Sequence, residues 1–143
     1  MLALTNLFPT TVRPMGGTFV RERLAAHRSL GTEVTEIPVR MQANPALRLL
    51  LLRTGRDPEI TPAGATCGAR YRLGVRDFAR LRKTDDPHKW VLRAADAVER
   101  AVRGQQFDVM HAHGMFRVPA GAVAAEVSRR TGVPYGITLH ART

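Results

Sequence analysis

Three short stretches hold most of the residues that could do chemistry. In "FDVMHAHGMF", residues 107–116, His111 and His113 stand two apart at the end of an apolar run, and Gly114 follows at once. In "PMGGTFVRE" the pair Gly16-Gly17 separates an apolar segment from an amphipathic one, and "GITLH" ends in Thr138 and His140. Imidazoles so placed can ligate a metal, move a proton or donate to a polar ligand. Paired glycines let a backbone approach an anion at a helix N-terminus, or serve as a flexible turn.

A metal shell needs three or four ligands, and His111, His113 and His140 could supply three. Nothing nearby completes the set: Asp108 sits five residues before His113, at the far end of the same strand, and Cys67 is remote. No metal site is expected. A nucleophile relay lacks its GxSxG elbow, and the segment around Gly16 and Gly17 is neither GxGxxG nor a GK[ST] loop. What remains is a histidine that donates hydrogen bonds or handles a proton, close to a glycine loop able to receive an anion.

The elements that must position these residues are legible from periodicity. "LALTNLF", residues 2–8, reads as a strand, and Val20, Leu24, His27 and Leu30 form one face of a helix that Gly31 stops. "EVTEIPV", residues 33–39, is a second strand that should end near Pro38, which cannot donate to a ladder. "NPALRLLLLRTG" predicts a short helix capped by Asn44, and "ARYRLGV" a half-buried strand, though residues 40–87 are otherwise hard to read. A helix from His88 to Gly104 buries Val91, Ala94, Ala95, Val98 and Val102, with Asp96/Arg100 and Glu99/Arg103 as ion pairs one turn apart. A strand "FDVMHAH", a helix "PAGAVAAEVSRRTG" and a strand "PYGITLH" complete the order.

Strands alternating with helices imply an α/β, Rossmann-like parallel sheet with right-handed crossovers and helices on both faces. Ligands of such sheets bind beyond the carboxyl ends of the strands. Gly16 and Gly17, Gly114 after His113, and Thr138 with His140 all fall at that edge. Side chains two apart on a strand share a face, but only the last clears the sheet. His111 is therefore expected as a partly buried, hydrogen-bonded core residue and His113 as the residue of the cleft.

Composition bounds the rest. The chain of 143 residues is one domain's worth, with 44% hydrophobic and 24% charged residues, as in ordinary globular proteins. One cysteine, no signal-peptide pattern and no apolar run near the ~20 residues that span a bilayer point to a cytoplasmic protein. The net charge of +10 is carried almost wholly by arginine, with only Lys83 and Lys89 beside it, and the excess lies in residues 40–103. Such a face is commonly just solvated, but it also suits an anionic partner. Nucleic acid is disfavoured, since aromatic residues make up 6% and do not interleave with the arginines as stacking platforms would.

Two blocks, "LTNLFPTTVRPMGGTFVRERLAAHRSLGTEVTEIPV" and "FDVMHAHGMFRVPAGAVAAEVSRRTGVPYGITLHA", resemble the N-terminal domain of GT-B glycosyltransferases of family 4. They cover about half of the chain, as a run of spaced motifs: "FP…GG", "G-x-E-V", "DVMHAHG", "GVPYG" and "TLH". Ala141-Arg142-Thr143 departs from the usual "G-S/T-D", and residues 40–87 have no matching motif. The resemblance implies a retaining, metal-independent transferase that needs no cofactor and moves a sugar from a nucleotide-sugar to a glycan or lipid-linked acceptor. It sets Gly16 and Gly17 near the donor phosphates, His113 beside the transferred sugar as the catalytic candidate, and Gly114, Thr138 and His140 along the same cleft.

By that resemblance residues 1–143 are a single acceptor-side lobe, half of a GT-B fold. The C-terminal nucleotide-sugar lobe would lie beyond residue 143, so the chain alone should turn over little or nothing. "NPALRLLLLRTGR" joins Leu47, Leu50 and Leu51 to Arg48, Arg53 and Arg56, and so could rest on an anionic membrane at the inner face, although a leucine-rich helix also suits a core. The competing readings are a non-catalytic Rossmann-like binding module and, on charge alone, a nucleic-acid-binding domain.

Overall fold

The computed structural model describes residues 1–5, 7, 17–43, 46, 49–50, 53, 69–73, 88–114 and 119–139, with 40–43 and 69–73 described by their backbone. Five parallel strands form one sheet in the order β3-β2-β1-β4-β5. They are β1 (Leu2–Thr5), β2 (Thr35–Ala43), β3 (Ala69–Leu73), β4 (Met110–His113) and β5 (Tyr135–Thr138). The helices are α1 (Thr18–Ser29), α2 (His88–Ala101) and α3 (Ala120–Thr131). This is the α/β, Rossmann-like arrangement expected from the alternating pattern.

The two faces of the sheet are covered differently. Leu2, Leu4, Ile37, Val39, Met110 and Ala112 alternate onto one face and form the main core with the apolar stripes of α2 and α3. Val91, Ala94, Ala95 and Val98 of α2 are buried there as the helical spacing predicts. The opposite face carries Ala3 against Val20 and Leu24 of α1. His111 and His113 lie on this second face, because Met110 and Ala112 take the first. Of the α1 stripe, Val20 and Leu24 are fully buried, whereas Leu30 is 82% exposed, since it caps the helix beyond its last turn.

Two other expectations are corrected. β2 does not end near Pro38 but continues to Ala43. Pro38 stands opposite Thr5, the last residue of β1, so its missing N–H costs only the final rung of that ladder. The second correction concerns ion pairs. Asp96 and Glu99 do not pair along α2; both meet Arg130 of α3, whose Nη1 lies 2.7 Å from Asp96 Oδ1 and 3.3 Å from Glu99. Periodicity on one helix gives no view of a cation that arrives from the next. Positions 46, 49, 50 and 53 are helical, within the span predicted from Asn44 to Gly55, and Leu49 and Leu50 are exposed.

Arg130 Nε also meets Glu126 Oε1 at 2.7 Å, and Arg129 binds both oxygens of the same carboxylate. Hydrogen bonds from Arg129 and then Arg130 hold the Glu126 carboxyl down from 4.5 to about 2. A carboxyl depressed in the folded state contributes stability in full above its unfolded value, and that stability is lost as pH falls through the folded one. Glu126→Gln should therefore melt lower than wild type near neutral pH and lose less on acidification from about pH 4.5 to 2. Parallel melting curves against pH for the two proteins would show that the cluster adds nothing.

Candidate functional site

Strand order locates the crevice. From β1 the chain winds outward to β2 and β3, and on the other side β4 is followed by β5, so the winding direction reverses between β1 and β4. Open parallel sheets bind ligands outside the carboxyl ends of strands at such a reversal. Thr5 ends β1 and His113 ends β4, in register with each other, and Thr138 at the end of β5 is in register with His113. Thr5, His113 and Thr138 thus form one row along the edge. Thr5 is fully buried, and its Oγ1 accepts a hydrogen bond of 2.9 Å from the Leu7 N–H, which fixes the chain as it leaves the sheet.

Gly17 opens α1 after this edge, with φ 71 in the left-handed region where a side chain would be strained. Its carbonyl accepts from the Val20 and Arg21 N–H groups at 3.0 and 3.3 Å, closing the first turn without a side-chain cap. Gly114 has φ 92 and donates its N–H to the Thr138 carbonyl at 3.1 Å, so the chain turns sharply out of β4 while still tied to β5. Both glycines are buried. Gly16 and His140, the other two residues assigned to the edge, lie outside the described residues.

His111 is partly buried and hydrogen-bonded, as expected, but His113, expected to stand clear of the sheet in the cleft, is not exposed. They share a face, with ring centroids 4.3 Å apart, but His113 is fully buried and His111 only partly. The neighbours explain why His113 is the more enclosed: His111 lies between Ala3 and Gly136, which leave its flank open, whereas His113 lies between Thr5 and Thr138. Its position at the strand's end does not clear the His113 ring from the protein.

His111 also has more structure around it than filler would. Its Nε2 is 2.8 Å from Thr138 Oγ1, and the same oxygen accepts from Arg23 Nη1 at 3.1 Å. The His27 ring of α1 stands edge-on to His111, with centroids 6.1 Å apart. Arg23 and His27 are thereby functional-site candidates that sequence reasoning passed over. They lie four apart on α1 and hence on one helical face, a spacing visible in the sequence once that face is known to look at β4 and β5.

Among the described residues no group of three or more His, Cys, Asp or Glu side chains is gathered as a metal would need. Nor, among them, is any helix long and apolar enough to cross a membrane. Two open depressions of about 440 and 530 Å³ share Gln105, Gln106, Phe107 and Asp108. They lie where the chain enters the strands, at the edge opposite His113, and so cannot present a ligand to it.

The chain is 30% identical over 149 aligned residues to a protein of Bacillus subtilis (strain 168) that carries the provisional name teichuronic acid biosynthesis glycosyltransferase TuaC. The alignment takes in 98% of this chain and 36% of that relative, so the chain spans little more than a third of its length. No solved structure matches the chain. Residues 16–143, which take in the glycine pair, His113, Gly114 and Thr138, match the glycosyl transferase 4-like domain, and the chain belongs to that family.

Proposed function

We propose that residues 1–143 are the acceptor-side lobe of a retaining, metal-independent glycosyltransferase, which moves a sugar from a nucleotide-sugar donor to a glycan or lipid-linked acceptor. The observation that carries this reading is the row Thr5, His113 and Thr138 at the reversal between β1 and β4, in a member of a glycosyltransferase family. His113 is the residue assigned to the transferred sugar. Gly16, Gly17 and Gly114 allow backbone to come close to the donor, and Thr138 and His140 line the same edge. Because the His113 ring is buried in the free chain, donor binding must open a path to it. The name of the Bacillus relative supports a growing glycan as acceptor.

In this reading a second, nucleotide-binding lobe completes the enzyme, and the isolated chain has little or no turnover. The test replaces the matching segment of the Bacillus protein with these 143 residues and scores sugar transfer from nucleotide-sugars by the chimera and by the chain alone. Transfer by the chimera and none by the chain is the expected result. A folded chimera without transfer, or robust turnover by the chain alone, would count against the proposal.

The same reading places the enzyme in the cytoplasm, at the inner face of the membrane when its acceptor is lipid-linked. Leu49 and Leu50 are exposed beside exposed Arg53, the combination an interfacial helix uses. Flotation with liposomes should recover the chain with anionic vesicles and not with neutral ones. Equal recovery from both would remove electrostatic docking from the account.

A further inference from the structure

The Thr138 hydroxyl of β5 joins that strand to α1 through Arg23 and to β4 through His111. It has one proton to give and two lone pairs to receive. The Arg23 guanidinium can only donate, so its 3.1 Å contact occupies a lone pair. The remaining close partner is His111 Nε2 at 2.8 Å, which accepts a hydrogen bond from the hydroxyl when the ring carries its own hydrogen on Nδ1. The opposite tautomer would aim a second donor at the same oxygen and leave the hydroxyl proton to find another acceptor.

We propose that Arg23 and Thr138 are positioning residues: they hold the His111 ring in the Nδ1–H tautomer and in one orientation, and so fix the surface on which His113 packs. The reading of His113 under Proposed function underlies the catalytic half of this statement. The groups seen to face His111 among the described residues include Arg23 and His27 from α1 and His113 from its own strand, and β5 contributes the Thr138 hydroxyl. The chain Arg23 to Thr138 to His111 to His113 runs from an exposed cation to a buried ring at the crevice edge. Thr138 then serves the site inward, through its hydroxyl.

The arrangement is testable on the 143-residue chain itself. Long-range proton–nitrogen correlation spectra of histidine-labelled protein, taken where the imidazoles are neutral, report which ring nitrogen is protonated. Wild type and Thr138→Ser should both show His111 protonated on Nδ1. Thr138→Val, which keeps the shape and removes the hydroxyl, should shift His111 to the Nε2–H form or to a mixture, and Arg23→Gln should move it part of the way. Amide spectra of each variant establish that it is folded. An Nε2–H signal for His111 in wild type, or identical tautomers in the Val and Ser variants, would overturn the proposal. The catalytic half is read separately in the chimera, where Thr138→Val should lower kcat several-fold with little change in donor KM, and Thr138→Ser should restore it. A tautomer that responds while kcat does not would refute the role assigned through His113 and leave the hydrogen-bond chain standing.

Discussion

His113→Ala is expected to lower sugar transfer by the chimera about 10²- to 10⁴-fold, the range for removing a group that handles a proton or stabilises charge in the transition state. The burial of His113 changes how the experiment must be run. Deleting a fully enclosed ring that packs on His111 also leaves a cavity, and a loss of about 1–3 kcal/mol of stability accompanies the loss of turnover. Ala alone would therefore confound folding with catalysis. His113→Asn refills much of the space with a group that donates and accepts hydrogen bonds but cannot serve as a general base near neutral pH. If His113 acts on the reacting sugar, Asn and Ala lose similar turnover while Asn melts closer to wild type. If Asn recovers activity in step with stability, the residue is structural. His111→Ala removes the contact to Thr138 from a partly open flank and should cost about 1 kcal/mol.

Leu4→Ala should have the largest effect on folding, a loss of about 2–5 kcal/mol measured by denaturant melts. Leu4 is fully buried near the end of the central strand, in register with Ile37 of β2 and Ala112 of β4. All three belong to the core that α2 and α3 cover. Strands on both sides and helices above leave few ways for the site to collapse around a missing side chain, which keeps the cost high within that range. The neighbouring Ala3 faces the thinner α1 layer, where Val20 and Leu24 provide the buried contacts. A loss below about 1 kcal/mol for Leu4→Ala would mean that α2 and α3 are held to the sheet more loosely than their burial implies.

The layers and their order were legible because each depends on a local period. Val91, Ala94, Ala95 and Val98 mark the buried face of α2 by spacing alone, and "DVMHAH" followed by glycine marks a strand that ends at the ligand edge. That His113 and Thr138 stand at one edge follows from the parallel order, whereas Thr5 joins their row only through the observed end of β1 and its register with β4. What could not be read is whatever two distant segments decide together. Whether His111 or His113 is the more enclosed depends on Gly136 and Thr138 of β5 and on the approach of α1. Arg23 shows no functional signal until its helix is docked, and Arg130 answers to Asp96 and Glu99 on a helix about thirty residues earlier. The extension of β2 past Pro38 likewise turns on where β1 stops, a fact about a different strand.

The strand order also governs how the chain must assemble itself. β1 is made first and lies in the middle of the sheet, yet one of its two ladders is with β4, on the order of a hundred residues later. Closing so long a loop must precede the reward of pairing, which slows folding relative to domains with local contacts. During synthesis the first strand can pair with β2 early but must wait, with its other edge open, until β4 and the helix after it emerge. The row at the strand ends inherits that delay: Thr5 and His113 meet only at the step that inserts β4, so the crevice comes into being together with the closed sheet and not before it.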